Sequence, residues 1–172
     1  MHSIQSLLDV LIEEIKELYS AETQLARALP QFIKAAEDSS LKLALSEHLA
    51  QTRQPGVRLQ EVADVLGISP AGKTCQAMQG LIAEGMERLG AGPVSEVRDA
   101  SLACIMQKIK QYEIVSYGCA RSFAQILHLH LAATILQTTL DEECAQDRNL
   151  SSLAELVNSR AESPYGMLSV VS

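Results

Sequence analysis

The chain has 172 residues, 47% of them hydrophobic but only 3% aromatic, with no tryptophan and a net charge of −7. That length suits one domain with a substantial core, and without a block of basic residues it is no candidate for binding nucleic acid, because phosphate neutralisation needs clustered Lys and Arg. Its longest apolar region, 114–136, contains Arg121, Gln125, His128 and His130, which rules that stretch out as a membrane span.

The opening stretch MHSIQSLLDVLIEEIKEL carries Asp and Glu where a secretory signal needs an uncharged apolar run. Cys75, Cys104, Cys119 and Cys144 are scattered, with no C-x-x-C pair. Free thiols in a cytoplasmic protein are the expectation. Ala, Leu, Glu and Gln dominate and favour an all-α fold.

In chain order, a first helix is predicted over about 3–36, with Ser3 as N-cap. Its stripe is Ile4, Leu8, Leu11, Ile15, Leu18, Glu22, Leu25, Leu29 and Phe32. After a turn at EDSS (37–40), a second helix runs over about 40–66 and is ended by Gly67 and Pro70. One face of it gathers Leu41, Leu45, His48, Thr52, Leu59 and Leu66. Pro55 lies inside this helix, removes a backbone bond and clashes with the carbonyl of Gln51, at about 3 kcal/mol. With Gly56 beside it, a kink is expected one to two turns after His48.

Residues 67–95 are too long for a tight hairpin and carry their own apolar-periodic piece, Met78, Leu81, Ile82, Gly85, Met86 and Leu89, before the break GAGP (90–93). A third helix follows over about 95–127, on Leu102, Met106, Ile109, Glu113, Ser116, Ala120, Phe123 and Leu127. The fourth covers about 132–160, on Leu136, Leu140, Glu143, Asp147, Leu150, Ala154 and Val157. Two antiparallel pairs joined by a helix-containing crossover between helices 2 and 3 make a ferritin-like four-helix bundle over 1–160. The segment 161–172 has Pro and Gly and no helical stripe, so a loose C-terminal tail is expected.

One irregularity recurs. Glu22, Glu113, Glu143 and Asp147 occupy seam positions that call for leucine, and His48 sits near the centre of its face. A lone buried carboxylate is costly, whereas several converging carboxylates and an imidazole suit a divalent cation such as Fe, Mn or Zn. This is the arrangement of carboxylate-bridged dinuclear bundles. The competing reading has the same carboxylates protonated or hydrogen-bonded, with His48 an ordinary core histidine. Tyr19, Tyr112 and Tyr117 lie within a turn of Glu22 or Glu113, either bonding the carboxylates or simply packing. His128 and His130 in LHLHL (127–131) fall at a turn without a third ligand, an incidental pair.

The segments LYSAETQLARALP (18–30), LSEHLAQT (45–52), GKTCQAMQGLIAEG (72–85), EVRDASL (96–102), YEIVSYG (112–118) and LDEEC (140–144) resemble the YciE/YciF family of bacterial stress-associated proteins, in order and spacing across nearly the whole chain. The resemblance implies a ferritin-like bundle, paired as a homodimer, with a dinuclear metal site. It carries Glu22, His48, Glu113 and Glu143 over as candidate ligands. The chain also departs from the pattern. His48 is followed three residues on by Gln51, and Glu143 by Gln146, so the two Glu-x-x-His pairs of such sites are missing. Ala50, Gln79, Lys110 and Gln111 replace Glu, Glu, Glu and His of many relatives. Two expectations follow. One is a protein holding one or two Fe or Mn ions that act on peroxide or dioxygen, with Asp147 as a further ligand. The other is a non-catalytic helical homodimer with a degenerate site and no metal.

Overall fold

The structure is a computed structural model and describes residues 4–90 and 95–161. The expected N-cap Ser3, the break after Gly90 and the tail beyond Ala161 lie outside those residues. Six helices follow one another: α1 (Leu7–Ala35), α2 (Ser39–Gln51), α3 (Arg53–Leu66), α4 (Gln76–Gly90), α5 (Glu96–Ile126) and α6 (His130–Arg160). No helix among the described residues is long and apolar enough to cross a membrane.

α1 starts later than its stripe suggests. The Ser6 hydroxyl accepts from the Asp9 amide at 3.1 Å, and Asp9 accepts from the Ser6 amide at 2.9 Å. This capping box satisfies two otherwise orphaned donors. Ile4 and Leu8 are exposed, so the buried stripe runs from Leu11 to Phe32. α5 starts where expected, with Ser95 as its N-cap.

The predicted second helix is two helices meeting at Thr52. The Thr52 amide and hydroxyl both bond to the His48 carbonyl, at 2.9 and 2.8 Å. α3 then begins at Arg53, which puts Pro55 in its first turn, where a missing N–H leaves no intrahelical bond unmade. The break thus falls one turn after His48. Gly67 ends α3 in the left-handed conformation (φ 66°), as its position suggests.

α4 is the periodic piece of the crossover. Its start is tied to α1 by the Cys75 amide, which donates to the Ser20 hydroxyl at 2.9 Å, and by Lys73, which pairs with Glu13 and Glu17 at 2.5 and 2.7 Å. Gly85 faces α1 so closely that a β-carbon there would stand 2.9 Å from the Phe32 ring. At the α5–α6 turn His128 takes a left-handed conformation (φ 58°), one that favours glycine. Both His128 and His130 are exposed.

α5 and α6 form the most extensive pair, α1 packs on α2, α3, α4 and α5, and α3 also meets α6. The interior divides into two apolar clusters. One joins Leu25, Leu29, Phe32, Leu41, Leu45, Met78, Met106 and Ile109; the other joins Leu11, Ile15, Leu18, Leu59, Val62, Ala120 and Leu136. On every long helix a buried polar residue separates the two: Glu22 on α1, His48 at the end of α2, Lys110 and Glu113 on α5, and Glu143 on α6.

Candidate functional site

The apolar clusters leave a polar layer between them, and its centre is a cation that the chain supplies itself. Lys110, only 2% exposed, extends its ammonium among the surrounding acceptors. It donates to Glu143 Oε2, lies 2.9 Å from His48 Nε2 and stands 3.0 Å from Glu113 Oε2. An ammonium has three protons and no lone pair. His48 Nε2 must therefore be the acceptor in its contact, which places the imidazole proton on Nδ1. Burial and the adjacent Lys110 charge hold His48 well below its ordinary pKa, which keeps it neutral and able to accept. Burial opposes the charge on Lys110, but Glu113 and Glu143 outweigh that penalty and raise its pKa.

Glu22 is held differently. The Tyr117 hydroxyl donates to its Oε1 at 2.7 Å, deep in the core. Burial first, and then the Glu143 charge, push the Glu22 carboxyl up to about 8, against the smaller opposing effects of Tyr117 and Lys110. Glu113 is also pushed well upward by burial, despite the Lys110 ammonium. Glu113 Oε2 stands 3.0 Å from the ammonium, whose well-directed hydrogen bonds go to His48 and Glu143. A single ammonium can offset a single carboxylate. The layer accordingly combines the Lys110–Glu143 ion pair with two carboxyls, Glu22 and Glu113, that burial shifts toward their protonated forms.

The structure thus brings Glu22, His48, Glu113 and Glu143 into one layer but leaves Asp147 out of it. Asp147 accepts from Gln111 at 2.8 Å at the rim. One helical turn beyond Glu143, it is half-buried against α5, and its other oxygen is buried without a hydrogen bond. Of the three tyrosines, Tyr117 bonds a layer carboxylate. Tyr112 faces the Cys75 thiol at 2.9 Å, and Tyr19 packs beside the second apolar cluster. The departures from the family pattern also separate. Ala50, Gln79 and Gln111 are exposed, and only Lys110 points into the layer.

These positions do not fit a resident divalent metal. The nitrogen lone pair that would ligate it is turned to Lys110, as are oxygens of Glu113 and Glu143, and a second cation beside the ammonium would be repelled. Among the described residues no three His, Cys, Asp or Glu side chains gather closely enough to hold a metal ion. The layer is reachable from outside, however. A cleft of about 100 Å³ between α2, α5 and α6 ends on His48 and Lys110, with Gln51 and Gln146 among its lining.

Two buried groups were not singled out in the sequence. One is Lys110 as a cation in place; its spacing of three residues from Glu113 inside a buried stretch was the available signal. The other is Asp99, which accepts from the amides of Glu37 (3.0 Å) and Asp38 (2.6 Å) at the α1–α2 turn. It continues the α5 stripe three residues before Leu102.

The fold and this layer define an all-helical protein with an ionic mid-section. The chain belongs to the family described as "Domain of unknown function (DUF892)", whose model matches residues 6–162. It is 37% identical over 162 residues to protein YciF of Escherichia coli strain K12, covering 93% of this chain and 98% of YciF. The crystal structure of the E. coli stress protein YciF superposes with a TM-score of 0.87 at 35% identity, covering 91% and 99% of the two chains. YcfI from Rhodopseudomonas palustris, for which a structural role has been suggested, superposes at 0.84 with 34% identity and coverage of 87% and 96%. A Xanthomonas campestris protein shares the fold at 17% identity, with a TM-score of 0.73 and coverage of 91% and 97%.

Proposed function

We propose that this protein is a non-catalytic, stress-associated helical scaffold that works as a homodimer in the cytoplasm, with a closed ion cluster where a redox centre would otherwise lie. In this reading α2 and α3 count as one helix broken at Thr52. The architecture is then a ferritin-like four-helix bundle with α4 in the crossover. The observation that carries the proposal is the Lys110 ammonium, which engages His48, Glu113 and Glu143 at once. The relatives named for stress and for a structural role agree with a protein whose product is its own folded surface.

The competing reading is an Fe or Mn protein acting on peroxide or dioxygen. It draws on the bare oxygens of Glu113, which a metal could use. The test is elemental analysis of untagged protein, with melting temperature measured before and after chelation. The scaffold reading expects no bound Fe or Mn and an unchanged melting temperature. A ligand bound only to the native state would raise that temperature, so stoichiometric metal together with a drop of several degrees on its removal would replace the scaffold reading with the redox one.

A further inference from the structure

The layer around Lys110 has the composition of a cation cage and already contains a cation. We infer that Lys110 is a tethered substitute for a metal ion, and that this one residue holds shut a cage whose remaining groups would otherwise accept a divalent cation. The inference rests on the scaffold reading above and extends it by assigning the exclusion to a single side chain.

Three observations meet here. First, three groups from three helices, His48 Nε2, Glu113 Oε2 and Glu143 Oε2, lie around one point, and the ammonium is at that point. The three are spaced for an ammonium, and a divalent cation in its place would have to draw them inward. A lysine exposed to solvent would need no such surround, as Lys108 shows by pairing with Glu84 at the surface. Second, Glu113 is almost fully buried with both oxygens free of hydrogen bonds. It has binding capacity that the lysine, with a single charge, does not use. Third, the cleft between α2, α5 and α6 ends on Lys110 and His48, so a small hydrated cation has a route to the layer once the ammonium is removed.

The charges set the direction of the effect. A tethered ammonium brings one positive charge at no cost in translational entropy and cannot be chelated. A divalent ion brings two and prefers carboxylate oxygens with an imidazole nitrogen. Removing the ammonium frees His48 Nε2 and both glutamates together. A carboxylate at position 110 adds a further oxygen ligand at the same point. Lys110→Glu is therefore the change with the largest expected gain, and Lys110→Ala a weaker one.

The experiment loads chelator-treated protein with Mn(II), removes free ion by desalting, and measures retained Mn by elemental analysis, with circular dichroism to confirm the fold. Wild type is expected to retain none. Lys110→Glu is expected to retain stoichiometric Mn(II) and to gain several degrees in melting temperature on its addition, and Glu143→Gln in the same chain to abolish both. Stoichiometric Mn(II) on wild type overturns the scaffold reading itself. Wild type free of Mn(II), with folded Lys110→Glu and Lys110→Ala equally free of it, overturns only the present inference. Should the variants fail to fold, wild type supplies the test through reductive methylation read by peptide mass spectrometry. Lys110 is expected to resist modification until the protein is unfolded while Lys108 reacts at once, and equal rates for the two would remove the ammonium from the cage.

Discussion

The two apolar clusters and the polar layer between them achieve burial in opposite ways. In the clusters, Leu, Ile, Phe and Ala fill space, and each contributes roughly in proportion to the apolar area it removes from water. Many such positions accept another apolar residue of similar volume at modest cost. In the layer three groups depend on a named hydrogen-bond partner: Glu143 and His48 on Lys110, Glu22 on Tyr117. A replacement there removes the partner of a group that stays buried. The clusters therefore hold the fold together by quantity, while the layer fixes which residues of the helices face one another.

The sharpest way to break that contrast is to remove the cation and keep its bulk. Lys110→Met leaves Glu143 without its counter-charge and His48 without its donor. Losing one member of a buried pair costs about 3–5 kcal/mol, so urea unfolding at neutral pH should show a loss of that size. Adding Glu143→Gln in the same chain should recover part of it, because the stranded charge is then gone. Equal losses in the single and double variants would show that the two residues are not coupled.

The second test uses pH. Glu22 has a pKa of about 8 in the folded protein against 4.5 for an ordinary glutamate, so the folded chain holds a proton that the unfolded chain has released. Its contribution to stability is fully present below about pH 4.5 and is lost as pH rises through about 8. In that window each pH unit removes up to about 1.4 kcal/mol. Glu22→Gln, which cannot ionise, should flatten the dependence while keeping an acceptor for the Tyr117 hydroxyl. Equilibrium denaturation from pH 5 to 9 measures the slope, and identical slopes in the two proteins would mean that Glu22 is already ionised at neutral pH.

The smallest of the three effects belongs to the apolar side. Gly85→Ala improves intrinsic helix propensity by about 1 kcal/mol. The new methyl would nevertheless stand 2.9 Å from Phe32 Cζ and 3.1 Å from Ile105 Cγ2, both in a filled core. Overpacking of that kind costs about 1–3 kcal/mol. A net loss measured by thermal unfolding is the expected outcome, and a gain would show that α4 can shift away from α1 freely.

How much of this could be read in advance follows the same division. The apolar clusters were legible because helical periodicity needs only residue type and spacing. Leu11 to Phe32 on α1 and Leu102 to Ala120 on α5 are buried along the stripes that the sequence shows. The positions of Glu22, His48, Glu113 and Glu143 were legible as interruptions of those stripes. What the layer contains was not, because it turns on a side chain beside the stripe. Lys110 reads in the sequence as a lost carboxylate, and only packing shows that its long stem carries the charge inward. Ala50 and Gln79 read as equal losses, yet both face solvent. The helix break at Thr52 was visible in Pro55, while the start of α3 at Arg53, which puts Pro55 in its first turn, came only with the structure.

The α1–α2 turn has a bearing on how the chain reaches its fold. Two of its amides, on Glu37 and Asp38, are satisfied by Asp99 at the start of α5, and Arg98 donates to the Ala35 carbonyl at 2.6 Å. Arg160, at the far end of α6, pairs with Asp38. A turn between neighbouring helices is thus closed by residues some sixty and more than a hundred positions away. The first hairpin cannot complete its own corner, and its last bonds form only once the second half of the chain has arrived. Long-range closure of this kind slows assembly relative to a bundle of self-contained hairpins. It also makes the closing of the first corner depend on α5 and α6, which act as the clasp on the earlier half.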